Sequence, residues 1–229
     1  VLLVNGGRRM NIFALSKSPI ESARQMLDKH VIKMPTETCQ MLHTNILYMQ
    51  YIEQHGKEPQ LKDLKRFHRE TESILMKPAM LNHPSTIWAR HSLDNFEWLF
   101  AHGLNLCDEY LSRYENGCHG SLRRIHDCNA FYETILQHNY PHTGLTPVTI
   151  AMFDKYRLDE KEYYNRNPNA KDWDFVIASY RHYYLEGKWE FATWKTKSPD
   201  WWPEDHYNNM MAKKVEAFNQ TYNAELQEE

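Results

Sequence analysis

The chain has 229 residues, with 27 Lys plus Arg against 30 Asp plus Glu and a formal net charge of −3. That length suits one large domain or two small ones at about 150 residues each, and it can bury a core without covalent staples. The charge balance excludes a strongly basic nucleic-acid coat but not a local basic patch. No apolar run approaches the roughly 18–20 residues that a membrane helix needs.

In chain order, residues 1–9 ("VLLVNGGRR") look wrong for a domain start, being too short and poorly patterned for a signal peptide. Codons for Gly6-Gly7-Arg8-Arg9 can read as a purine-rich ribosome-binding sequence. Met10 is therefore the expected initiator, the gene is expected to be bacterial or phage, and residues 1–9 are expected to be a non-native leader. Residues 11–15 (NIFAL) are the one convincing strand candidate at this end. Ser18, Pro19 and Glu21 together signal a helix start. That helix is expected to reach about Asp28–Lys33 and to end before Pro35, where a second helix opens and runs to near Gly56.

Residues 57–78 read as a charged helix, a surface insert. Pro84 restarts a helix with Asn82 or His83 as cap. The run 92–114 carries Phe96, Leu99, Phe100, Leu104, Cys107 and Leu111 at helical spacing. Another helix is expected at about 119–137. Residues 138–147 and 165–172 read as loops. A helix in "WDFVIASYRHYYLEG", an aromatic stretch and a polar C-terminal helix complete the chain. The expected architecture is mainly α, a single compact multi-helix domain over 10–229 with at most a short β element near the N-terminus. Trp189, Trp194, Trp201 and Trp202 are expected to seal the core, with Trp201 or Trp202 partly exposed at most.

Two segments could carry chemistry. In "DKHVIKMPTE" (28–37), His30 and Lys33 share a helix face, and Glu37 joins it only if the helix continues past Pro35. A kinked junction there would gather a cation, an imidazole and a carboxylate as an acid–base site. The bland reading is a solvated corner with Glu37 stabilising a helix N-terminus. In "NHPSTIWAR" (82–90), Asn82 and His83 either cap the helix or, with Arg90 and then Asn95, hold a phosphate or a base edge. The two segments are expected to form one pocket, with His30, Lys33, Glu37 and His83 as its catalytic groups. Lys29, Lys33 and Arg90 would supply the basic patch, flanked by Arg123 and Arg124.

Thirteen histidines invite a metal reading, but "CHGSLRRIHDC" lacks the ligand spacing of a structural zinc site, and no metal is expected. Nucleotide-loop and hydrolase-elbow motifs are missing. Four cysteines at irregular spacing are expected as reduced thiols.

From Met10 onward "MNIFAL", "DKHVIKMPTETCQML", "NHPSTIWARHSLDNFEWL", "LCDEYLSRY" and "YRHYYLEGKWEFATWKTKSPDWW" resemble a family of phage proteins. Members tend to have Met-Pro-Asp where this chain has Met152-Phe153-Asp154. The N-terminal plan resembles the pyrimidine-dimer DNA glycosylases of T-even phages, compact helical enzymes with an N-terminal amine nucleophile and a catalytic carboxylate just before a proline. On that plan Lys33 stands where the carboxylate should be, and Asn11 follows the initiator.

A second resemblance is to phage enzymes that attach an amino acid to phosphate-activated 5-hydroxymethyluracil in DNA. The motifs imply substrate contacts at Asn11, Asn82, Trp88, Arg90, Asn95 and Arg113, with Arg123 and Arg124 on the DNA. The expectation drawn is a transferase working on double-stranded phage DNA with an amino acid or amine donor. It needs no cofactor or membrane and acts in the cytoplasm of the infected host. A dimer glycosylase and a non-catalytic DNA- or protein-binding module are the alternatives.

Overall fold

The computed structural model describes residues 11–136, 140 and 143–227. The expected leader at 1–9 and residues 138, 139, 141 and 142 of the expected loop lie outside them. The described residues form nine α-helices and no strand, a mainly α single domain.

Helix α1 (Pro19–Arg24) starts as its local signals require: Pro19 is the first helical residue and Glu21 N–H donates to Ser18 Oγ at 3.4 Å. It is shorter than expected. The chain turns at Gln25, and extended Leu27 caps α2 (Asp28–His55), a single 28-residue helix. The break expected at Pro35 does not occur. Proline removes one N–H and crowds the carbonyl four residues back, but Val31, Met34 and Pro35 are all buried, and that packing offsets the loss. The helix ends instead at Gly56, whose left-handed φ of 64° lets its N–H cap Ile52 O at 2.7 Å.

Helix α3 (Leu61–Glu70) docks rather than projects: Leu64 and Phe67 are buried, and Phe67 meets the Tyr51 ring edge-on. Helices α4 (Pro84–His91) and α5 (Leu93–Arg113) meet at Ser92, whose hydroxyl accepts from Asn95 N–H. The core-facing stripe of α5 uses Phe96, Leu99, Leu106 and Cys107, whereas Leu111 is exposed. In place of one helix over 119–137 stand α6 (Leu122–His126), a 3-10 turn (Asp127–Phe131) and a π turn (Tyr132–Leu136). Helices α7 (Glu160–Arg166), α8 (Asp172–Gly187) and α9 (His206–Gln227) follow.

The core lies around α2 and α5, with α4 against both and α1 against α5, and with Tyr180 and Tyr184 of α8 fully buried. Residues 11–15 are buried but form no strand: Phe13 sits in the left-handed region at φ 53°, which interrupts an extended run. Side chains satisfy their backbone instead, as buried amides require. Leu15 N–H donates to Ser22 Oγ, Ser22 Oγ donates to Phe13 O, and Arg181 donates to Leu15 O. Trp189 is buried as expected, while Trp194, Trp201 and Trp202 are half-buried. The indoles of Trp194 and Trp201 both donate to Gln25 at the α1–α2 turn.

Two core histidines stay neutral. His43 donates from Nε2 to Arg124 O and accepts at Nδ1 from Met76 N–H, and burial lowers its pKa. His102 is 1 % exposed, has no hydrogen-bond partner on either nitrogen, and burial lowers its pKa to about 3. The unfolded chain then binds a proton at His102 near pH 6.5 that the folded chain refuses, so stability is whole above that pH and falls below it. From His102 alone the protein should be about 2 kcal/mol less stable at pH 5 than at pH 8. Urea unfolding at the two pH values checks this, and His102→Leu should remove that share of the difference.

Candidate active site at the N-terminal half of α2

Because α2 runs straight through Pro35, His30, Lys33 and Glu37 lie three and then four residues apart on one face. Glu37 is the centre. Its side chain is only 12 % exposed, its Oε1 pairs with Lys33 Nζ at 2.8 Å, and its Oε2 accepts from the backbone nitrogen of Asn11 at 3.4 Å. Asn11 is itself fixed. Its Nδ2 donates to Ala151 O at 2.7 Å, while its Oδ1 accepts from Ile12 N–H and from Tyr180 O–H at 2.9 Å. A nitrogen atom at the start of the buried segment is thereby aimed at a carboxylate 26 positions later.

His30 forms the floor. It is 6 % exposed, stacks on Phe13 with ring centres 4.2 Å apart, and is hydrogen-bonded through Nδ1 to Tyr184 Oη at 2.6 Å. Burial, reinforced by the nearby Lys188 and Lys33 charges, holds its pKa well below the usual value, so it is a neutral imidazole. Phe13 reaches this stack from a left-handed backbone, φ 53°. That conformation costs a non-glycine residue roughly 1–2 kcal/mol, and strain of this kind gathers where a side chain must be held in place.

One wall comes from α8 and the segment after it. Lys188 Nζ stands 4.5 Å from the Tyr183 ring centre and 5.9 Å from that of Phe13. Lys29 Nζ lies 4.7 Å from the Phe191 ring centre. On another side His119 Nε2 is 3.0 Å from Ile32 O, and Ser121 Oγ is 3.1 Å from Thr36 Oγ1. This brings α6, with exposed Arg123 and Arg124, beside the same stretch of α2.

The segment 82–90 is not part of this pocket. Asn45 donates to Thr86 O and Arg90 lies over Tyr48 at 4.6 Å, eight and eleven residues beyond Glu37 along α2. At 1.5 Å per residue those are about 12 and 16 Å away along the axis. Each residue there has a local task. His83 Nδ1 accepts from Ser85 N–H as the α4 cap, and Arg90 donates to Leu81 O. Trp88 is buried against Trp98. Buried Asn95 donates to Trp88 O and Thr146 Oγ1. Asn82 is exposed.

Arg113 also lies away from solvent. Its side chain is fully buried, and its five N–H donors reach Glu109, Met26 O, Asp28 and Arg24 O. It braces the α1–α2 turn instead of facing a substrate. Phe13, Tyr184, Lys188 and Phe191 escaped the sequence reading, although they lie in the quoted motifs "MNIFAL" and "YRHYYLEGKWEF".

Among the described residues no three His, Cys, Asp or Glu side chains come together as a metal-ligand set. No described helix is long and apolar enough to cross a membrane.

With Asn11 and Glu37 in place, comparison with known proteins becomes informative. The family model for pyrimidine dimer DNA glycosylase matches residues 10–119. That stretch, just under half of the chain, is similar to those enzymes. It contains Asn11, His30, Lys33 and Glu37 but ends before Lys188. No curated protein and no solved structure matches the chain.

The brace can be tested directly. Arg113→Ala would leave Asp28 and Glu109 without their guanidinium in a buried setting, and breaking such a pair costs about 3–5 kcal/mol. Urea unfolding should report a loss of that size; a change below about 1 kcal/mol would count against the brace.

Proposed function

We propose that the protein acts on bases in DNA by a glycosylase and lyase reaction centred on Glu37 and the nitrogen of Asn11. The observation that carries the reading is the 3.4 Å approach of that nitrogen to Glu37 Oε2. The glycosylase-like character of residues 10–119 supports it. On this reading translation starts at Met10 and removal of that methionine frees the Asn11 amine.

The amine attacks C1′ of the target nucleotide as the glycosidic bond breaks, and the base departs with the bonding electron pair and takes a proton from water. Glu37 takes a proton from the attacking nitrogen and hands it to O4′ as the C1′–O4′ bond breaks, so the ring opens and leaves a protonated imine at C1′. Lys33 holds the carboxylate in place, and neutral His30 on Phe13 forms an uncharged floor that does not compete for the proton. The sequence plan placed the carboxylate before Pro35. Glu37, two residues after it, fills that role here.

A second reading is the transferase, in which an amino acid displaces a phosphate group from an activated 5-hydroxymethyl pyrimidine. The cations along this face, Lys33 at Glu37 and Lys188 near His30, favour it, since a departing phosphate needs positive charge.

The two readings part on substrate. Protein started at Met10 should form a borohydride-trapped covalent adduct with ultraviolet-irradiated duplex DNA, and the adduct should map to the Asn11 amine. Glu37→Gln should slow its formation about 10²- to 10⁴-fold, the usual weight of a general acid–base group. An adduct absent from the parent protein overturns the glycosylase reading. Amino acid found on nucleosides from DNA bearing phosphorylated 5-hydroxymethyluracil would put the transferase in its place.

A further inference from the structure

Two cations stand around Phe191, whose ring meets His30 edge-on. Lys29 Nζ and Lys188 Nζ lie 4.7 and 5.7 Å from the centre of the same ring, Phe191. Lys188 is also within 6 Å of the Tyr183 and Phe13 ring centres, so aromatic faces hold its ammonium group over the His30 floor. Neither lysine makes a salt bridge among the described residues, and the acids around them are engaged elsewhere. Glu37 pairs with Lys33, Asp28 with Arg113 and Glu190 with Lys214.

Two ammonium groups brought to one ring repel each other, and Lys29 stands in the first turn of α2, where the helix dipole also disfavours a cation. Stability alone gives no reason for this arrangement. An anion held by both would remove the repulsion. Cation–π contacts hold an ammonium in place without neutralising it, so the charge stays available to a ligand.

We propose that Lys29 and Lys188, gathered on Phe191, bind a phosphate ester at the His30 end of the α2 face that carries Glu37. This rests on the reading of Glu37 as the reactive carboxylate of a DNA enzyme. The shared ligand chemistry is a phosphate group, which has two sources: the DNA backbone flanking the target nucleotide, or a phosphate released from an activated base. Since Lys188 and Phe191 lie beyond residue 119, the C-terminal half supplies half of this clamp to a site whose reactive groups lie in the N-terminal half.

The test compares the parent chain with Lys29→Gln, Lys188→Gln and the double variant. Duplex DNA binding is measured over a salt series, and inorganic phosphate binding by calorimetry. Both lysines are solvent-accessible, so the variants should fold, and circular dichroism checks that they do. If the clamp holds a backbone phosphate, the double variant should lose about one unit of slope in log K against log salt. If it holds a released phosphate, inorganic phosphate should bind the parent and not the double variant, with the DNA slope unchanged. Either result supports the clamp.

An unchanged slope together with unchanged phosphate binding overturns it. Borohydride trapping in low salt keeps the two ideas apart. An adduct that persists while neither binding measurement moves removes the clamp and leaves the Glu37 chemistry standing. A parent protein that traps nothing removes that chemistry first.

Discussion

The surroundings of Glu37 depend on how Arg113 holds the turn between α1 and α2. The guanidinium lies inside the protein, and every one of its N–H groups has an acceptor: two carboxylates and the carbonyls of Arg24 and Met26. A buried charge is tolerated only when it is paired and its hydrogen bonds are complete. Satisfying this one fixes the end of α1, the path of the chain through Gln25–Leu27 and the first residue of α2. Asp28 is held from a third direction, since its Oδ1 accepts from Lys195 N–H while its own N–H donates to Thr193 O. The azimuth of α2, and with it the direction in which His30, Lys33 and Glu37 point, is set by this knot.

From that anchor the site is assembled by parts of the chain far apart in sequence. The buried segment 11–15 supplies a nitrogen and a strained phenylalanine, α2 supplies the titratable face, α8 supplies Tyr180 and Tyr184, and Lys188 follows just after α8. Tyr180 does two tasks with one hydroxyl, donating toward Asn11 Oδ1 and Thr149 O and accepting from Ala151 N–H at 3.2 Å. It therefore ties the extended stretch around Ala151 to Asn11, and Asn11 to the carboxylate. The polar groups buried here have partners on other elements, so the site cannot form piecemeal. Its geometry is a property of the finished fold.

That distribution explains what the sequence could and could not disclose. Caps are local, and Ser18-Pro19 and His83-Pro84 each started a helix where their side chains said they would. The mainly α class followed from the same helical spacings. Pro35 misled because its cost is local while its compensation is not. The packing of Val31 and Met34 that keeps α2 whole comes from residues elsewhere in the chain. Asn95, Trp88, Arg90 and Arg113 misled in the opposite way. A polar or aromatic side chain in a dense motif looks the same in sequence whether it faces a ligand or a distant carbonyl. Three of these four found their partners inside the core, and Arg90 found Leu81 O and the Tyr48 ring.

The continuity of α2 also decides what Glu37 can do. Had the helix broken at Pro35, Glu37 would have sat in the first turn of a new helix, with backbone N–H groups and the dipole as its natural partners. In the intact helix it lies ten residues in, beyond the reach of the terminus, and its oxygens are shared between Lys33 and the Asn11 nitrogen. The pairing with Lys33 runs in the less stabilising order for a helix, cation before anion, so it adds little to helix stability. Its effect is to hold one oxygen while the other faces a nitrogen. A carboxylate with one oxygen restrained and the other at a nitrogen suits proton transfer at that nitrogen, an arrangement that the better-capped start of α4 lacks.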